Sequence, residues 1–385
     1  MKLIRVLYNG DGLHEPYGGV SRYFTEVIKG LPKDIVPHIA VKETRNAYLQ
    51  APPFNMPKAR CSLFNFMPGF DFKGKGYVYR FLARCMPWKW PACELINKRA
   101  FKEAIKRGDF DLVHLTAPHS CEDTWSQIGE IKPVVVTVHD LIPEIIYGNK
   151  KMLRFRSSML ATATRIIAVS ENTKRDILKT YRIAEDKIRV IHHGFIASEY
   201  QVDTQVFPGM RYLLYVGKRG GYKNSDFFFL SVAQLLREDR SLNIVCTGDK
   251  FSPFELEMFA REDIARQVHH AFIPDNLMRS LYANALCFVY PSLYEGFGIP
   301  ILEAFASKCP VILSNCSCFP EVAGDAALYF NKGDADKLRK NVLRLICDTE
   351  ERKRLISRGL ERLKEFSWEK AAQETAEIYR SAVEI

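Results

Sequence analysis

Two carboxylates flanking a glycine-containing turn offer the most concentrated chemistry in this chain. In Tyr290–Ala306, YPSLYEGFGIPILEAFA, Glu295 and Glu303 are separated by seven residues. Proline suits the first turn of a helix, where its missing N–H would have had no partner, so the helix should open at about Ile299 or Pro300. Glu303 then falls in the opening turn, and the amides of Gly298, Ile299 and Ile301 face the loop. Such amides, at the positive end of a helix, form an anion site, and glycine lets a ligand approach the backbone. The spacing predicts a phosphate cradle with an acid on either side. Read without more context, the same residues also serve a plain corner, with a first-turn acid favoured by the helix dipole.

Other candidates follow apolar runs. Arg219 and Lys223 share the loop GKRGGYKN after Tyr212–Val216; a rigid guanidinium and a flexible ammonium can neutralise a departing diphosphate, or be a solvated pair. His139 and Asp140 come directly after VVVTV, and His119 also follows a strand-like run. Each histidine is as readily a structural hydrogen-bonder as a reactive group, and Asp140 could orient His139. Gly18 and Gly19, with Arg22 just beyond, stand before an amphipathic helix opening at Val20 and could pass a phosphate or only turn the chain. Ser170 reads as an N-cap with Glu171 in the first turn.

The elements that must position these groups alternate in type. Strand-like runs at Leu3–Tyr8, Ile35–Val41, Asp111–Leu115, Val134–Val138, Arg165–Val169 and Ile188–Ile191 have helical patterns between several of them; further runs occur at Tyr212–Val216, Leu242–Val245, Cys287–Pro291 and Val311–Leu313. Alternation of this kind predicts parallel α/β sheets, whose ligands bind beyond the carboxyl ends of the strands. A chain of 385 residues, 47% apolar, suits two such domains. QVDTQVFPG marks a boundary, giving a first domain over 1–203, a second over 204–366, and a closing helix over 367–385, capped by Ser367, that returns to the first. Residues 42–57 are polar and Pro-rich and should form a mobile loop.

Residues 58–107 combine aromatics (Phe64, Phe66, Phe70, Phe72, Tyr77, Tyr79, Phe81, Trp88, Trp90) with Lys73, Lys75, Arg80, Arg84 and Lys89. That mixture suits either a packed insert or a face for anionic lipid. A net charge of +10 favours anionic partners. The ten cysteines are scattered without a C-x-x-C pair, so reduced thiols are expected. No apolar run nears the ~20 residues of a membrane span, and MKLIRVLYNGDG has no signal-peptide form. A cytoplasmic protein, at most resting on the inner face of the membrane, is expected.

Taken as a string, E-G-F-G-x-P-x-L-E-A-x-A closely resembles the signature of the retaining glycosyltransferases of family 4. Y-G-G-V-S-R-Y, V-H-D-L-I-P-E, A-V-S-E-N-T-K, R-x-x-x-K-N and the final F-S-W-E-K-A-A-Q-E-T-A-E-I-Y are similar to further segments of that family, in order. The resemblance covers both halves but not residues 42–107. It implies a GT-B fold, two Rossmann-like domains facing across a cleft, and transfer of a hexose from a nucleoside diphosphate sugar to a saccharide with retention. It places His139 and Glu295 at the donor sugar as catalytic candidates and Glu303 on the ribose. Gly18, Gly19, Arg219 and Lys223 fall at the diphosphate, Phe272 and Ile273 at the base, and Phe297, Gly298 and Ile299 beside phosphate and sugar. No cofactor or metal is implied; the partners are the nucleotide sugar and a saccharide or polyprenyl-linked saccharide, not nucleic acid. The V-H-D-L-I-P-E segment leans toward GDP-mannose. A UDP-sugar 2-epimerase of the same architecture, or a non-enzymatic binder of anionic polymer, are the alternatives.

Overall fold

The computed structural model describes residues 3–384, apart from 14, 61–65, 67–72, 87–91, 118–131 and 197–204. His119, Phe64, Phe70, Phe72, Trp88, Trp90, Lys89 and the boundary at 203/204 lie outside the described residues.

The apolar runs become two wholly parallel six-stranded sheets. The first comprises β1 (Ile4–Tyr8), β2 (Ile35–Ile39), β3 (Leu112–Leu115), β4 (Val134–Val138), β5 (Arg165–Ala168) and β6 (Ile188–Val190), in the order β2-β1-β3-β4-β5-β6. The second comprises β7 (Arg211–Tyr215), β8 (Leu242–Cys246), β9 (Val268–His270), β10 (Cys287–Tyr290), β11 (Val311–Ser314) and β12 (Ala327–Phe330), in the order β12-β11-β10-β7-β8-β9. In the second sheet the direction of winding reverses between β7 and β10. Ligand crevices form at such switch points, because the loops there leave in opposite directions.

Central strands are buried on both sides, which is why Val134–Val138 is apolar throughout. Helices pack on both faces, and the closing helix Trp368–Val383 packs in the core of the first half. Ser367 Oγ accepts the Lys370 amide at 3.1 Å, and the helix lies along Gly19–Gly30 so closely that a Cβ on Gly30 would meet that of Ala372 at 2.9 Å. Tyr379 hydroxyl reaches Tyr8 hydroxyl and His114 Nδ1, both at 2.6 Å, within the first half's core.

Residues 42–57 are not a loose loop. Thr44 forms a parallel bridge with Lys58, Asn46 caps the short helix Ala47–Gln50, and Asn97 accepts the Lys42 amide (2.9 Å) while donating to the Glu43 carbonyl (2.9 Å). The polarity that suggests mobility instead satisfies buried backbone. In the insert, Phe66, Tyr79, Ala83 and Ala92 make a small core, while helix Lys75–Cys85 turns Tyr77 and Phe81 outward, 77% and 65% exposed. The eight described cysteines are free thiols.

Candidate active site

The loops after β7 and β10 meet at the switch point of the second sheet. Lys223 comes from the first and Glu295 from the second, and Lys223 Nζ lies 2.6 Å from Glu295 Oε1. The ammonium also sits over the rings of Tyr222 and Tyr290, at 5.1 and 5.9 Å. Aromatic faces and a carboxylate together fix a cation in place. Glu295 lines a cavity of about 370 Å³ shared by both halves, with Gly18, Gly19, His139 and His193 on one side and Phe297, Gly298, Ile299 and Glu303 on the other. The facing loops nearly touch: a Cβ on Gly19 would meet Ile299 Cδ1 at 3.2 Å, and one on Gly296 would meet the His139 carbonyl oxygen at 1.7 Å.

The helix on the second side runs Ile299–Ala306, with Gly298 as N-cap at φ 94°. That left-handed conformation suits glycine and brings the backbone to the cavity wall. Because the helix opens at Ile299, Glu303 lies beyond the first turn, where the Tyr282 hydroxyl donates to its Oε2 at 3.1 Å. The Ile301 amide is bonded to the Gly298 carbonyl at 2.9 Å, which removes it from the expected cradle and leaves Gly298 and Ile299 at the cavity. The helix Gly19–Gly30 likewise opens one position before the expected Val20.

His139 is where its strand end predicts. Its ring stands edge-on to Tyr23 (5.0 Å), Phe24 (5.5 Å) and His193 (5.6 Å), and neither nitrogen has a hydrogen-bond partner among the described residues. Burial, helped by the charge of Arg156, pushes its pKa down to about 3, so the imidazole is neutral near pH 7. Neutral imidazole can donate from one nitrogen and accept at the other. Asp140 does not orient it: its Oδ1 accepts the Ile142 amide at 3.0 Å, in a local turn.

Arg219 is held within the second half. Its Nε lies 2.7 Å from Glu255 Oε1, Nη1 donates to the Thr247 carbonyl (2.9 Å), Nη2 to that of Asp249 (2.5 Å), and the guanidinium covers Phe251. With its side chain 4% exposed, it braces the loop after β8; like Lys223, it stands behind the residues that line the cavity. Glu255 belongs to a capping box with Ser252, so the acid that captures Arg219 is itself held at a helix start. Phe272 is 89% exposed, and Ile273 packs against the second half's core; neither lines this cavity or its neighbour.

That neighbour, about 430 Å³, shares Arg22, Tyr48 and Glu303 with the first and continues to Tyr17, Phe195, Met278, Arg279 and Tyr282. Its Tyr48 comes from the segment read as a loose loop. His193, which sequence reading passed over, stacks on Phe297 at 4.7 Å and 14°. It follows β6 in I-H-H-G, so the rule that strand ends bear function could have found it.

Residues 17–198 match the family described as Glycosyltransferase Family 4, and 198–362 the one described as Glycosyl transferases group 1. Similar proteins include O-antigen chain mannosyltransferase B of Escherichia coli, 30% identical over 275 residues covering 65% of this chain and 71% of that protein. O-antigen chain mannosyltransferase RfbU of Salmonella typhimurium is 32% identical over 240 residues, 61% of this chain and 65% of that one. Among solved structures, Anabaena Alr3699/HepE in complex with UDP and glucose superposes with a TM-score of 0.73 over 98% of this chain and 100% of that one, at 15% identity, a likeness of fold.

Proposed function

This chain belongs to the family 4 and group 1 glycosyltransferases, and on that premise we propose that it moves a hexose, mannose, from a nucleoside diphosphate sugar to a growing cell-envelope saccharide, with retention of configuration. The observation that carries the reading is the shared cavity, where Glu295, paired with Lys223 at the switch point of one half, faces Gly18, Gly19 and His139 of the other. Relatives named as O-antigen mannosyltransferases support the choice of sugar and acceptor class.

In this reading the donor lies across both cavities. Glu303, common to the two, accepts the ribose hydroxyls, and the nucleoside enters the larger chamber between Met278 and Phe195. Lys223 and the backbone at Gly298 meet the diphosphate, while Glu295 and neutral His139 bracket the sugar. No side chain in the cavity is an evident nucleophile. The acceptor hydroxyl therefore attacks the anomeric carbon from the side of the leaving group: the sugar–phosphate C–O bond breaks, the new glycosidic C–O bond forms, and the hydroxyl proton passes to the departing phosphate oxygen. Charge grows on that diphosphate toward the transition state, where Lys223 acts most strongly.

The outward face of helix Lys75–Cys85, with Tyr77 and Phe81 beside Arg80 and Arg84, suits peripheral contact with anionic lipid, which would bring a polyprenyl-linked acceptor to the cleft. No described helix is long and apolar enough to cross a membrane.

A thermal-shift screen of GDP, UDP, dTDP and their sugars tests the donor: a ligand at a hundred times its dissociation constant stabilises the fold by about 2.7 kcal/mol. GDP and GDP-mannose should give the largest shifts. Product analysis then separates transfer from 2-epimerisation, which would need no acceptor and would defeat the proposal.

A further inference from the structure

Helix Glu171–Thr180 belongs to the first half, yet it holds the second half's reactive loop at two points. Ser170 Oγ, fully buried, accepts the Thr173 amide at 3.0 Å and donates to the Gly296 carbonyl at 2.7 Å. Nearly two turns on, Asp176 Oδ2 accepts the Tyr294 hydroxyl at 2.6 Å and is steadied by Asn172 Nδ2 at 2.9 Å. Residues 294 and 296 are the immediate neighbours of Glu295. A single helix from across the cleft therefore holds the Gly296 backbone on one side of that carboxylate and the Tyr294 side chain on the other.

A third contact sets the helix itself. Glu321, from the second half, receives the amides of Glu171 (2.7 Å) and Asn172 (3.2 Å) and lies 2.7 Å from His192 Nε2. Free first-turn amides attract a carboxylate, so the cap is supplied in part by the opposite half. The fit is close: the Gly296 position that receives Ser170 has no room for a Cβ against His139.

We infer that Ser170 and Asp176 are positioning residues, which bring Glu295 to its working place only when the two halves are closed. Donor-binding groups such as Lys223, Gly298 and Glu303 belong to the second half, so nucleotide can be held there without this helix. Turnover cannot, because a misplacement of about 1 Å at a reacting centre costs on the order of a hundredfold in rate. The inference rests on the reading that Glu295 faces the transferred sugar.

The test compares Ser170→Ala and Tyr294→Phe, alone and together, with Ser170→Thr, which keeps the hydroxyl. Turnover of GDP-mannose should fall about tenfold in each single variant and about a hundredfold in the double, with the GDP dissociation constant within about twofold of wild type and Ser170→Thr near wild-type rate. Small-angle scattering in saturating GDP, or in UDP should GDP not bind, should give a larger radius of gyration for the double variant. Unchanged turnover, or a dissociation constant rising in step with the loss, overturns the inference. If the wild type transfers from no nucleotide sugar, the functional reading fails by itself, and the scattering arm then decides: equal radii remove the clamp, and a larger radius in the double variant retains it.

Discussion

Lys223 Nζ and Glu295 Oε1, read from separate loops as a diphosphate cation and a sugar-side acid, are 2.6 Å apart and form one ion pair. Their charges are therefore not independent. Removing the cation also leaves a largely buried carboxylate uncompensated, and removing the acid frees the ammonium to move. Lys223→Ala should lower kcat by about a hundredfold or more with a smaller rise in donor KM, because leaving-group charge is greatest in the transition state. Steady-state kinetics of Lys223→Ala beside wild type check this; equal kcat in the two would mean that the loop only turns the chain.

Glu303 receives the Tyr282 hydroxyl on one oxygen, and its carboxylate lines both cavities. Glu303→Gln should weaken donor binding by about 1–3 kcal/mol, since a charged acceptor becomes a neutral one, and Tyr282→Phe by about 1 kcal/mol. Calorimetric titration of donor reads both. An unchanged affinity in Glu303→Gln removes it from the ribose.

Arg219 should behave as a structural residue. Its truncation to alanine leaves Glu255 buried without its main partner, and breaking such a pair costs about 3–5 kcal/mol. Urea unfolding should show that loss, with donor affinity of the remaining folded protein changed less. A variant with unaltered stability and a raised donor KM would restore the diphosphate role expected from its sequence position.

Burial pushes His114 and His139 down to about 3 and His193 well below its ordinary value of 6.5. Between those limits the unfolded chain binds protons that the native chain refuses, so stability rises with pH across that window and is constant in this respect above it. Urea midpoints should therefore fall steadily as pH drops from 6.5 toward 5. A flat profile would show that these imidazoles take up protons in the native state. For the same reason His139 should contribute no inflection to the kcat profile between pH 6 and 8.

At the membrane, wild-type protein should co-sediment with vesicles containing phosphatidylglycerol at low salt and be released as salt screens the attraction. Tyr77→Ser with Phe81→Ser, or Lys73, Lys75, Arg80 and Arg84 changed together to Ser, should each reduce binding, at about 1 kcal/mol per cation near the surface. Indifference of the wild type to such vesicles ends the membrane reading without touching the cleft.

Strand ends were legible because burial on both sheet faces makes central strands apolar throughout, and the first polar residues after them mark the loops. That logic points to the loops that carry His139, Glu295 and the glycines of the shared cavity, and to Lys223 beside it. It could not reveal the ion pair of Arg219, whose partner Glu255 arrives on the first turn of helix Pro253–Arg261. Nor could it reveal the edge strand β12, or that Asn46 and Asn97 turn a polar stretch into a packed one. Periodicity reports which face is buried; it carries no record of which side chains meet across a sequence gap.

The crossing helix Trp368–Val383 bears on the order in which the protein can be made. Tyr8 and Tyr379, in contact inside the first core, are separated by 371 positions. At roughly 5–20 residues per second, a ribosome delivers the second about 20–75 s after the first. Until then the apolar face that Trp368, Ala376 and Tyr379 cover is open to water. The half that emerges first is thus the half that finishes last, and a chaperone that binds exposed apolar surface would have its longest opportunity there.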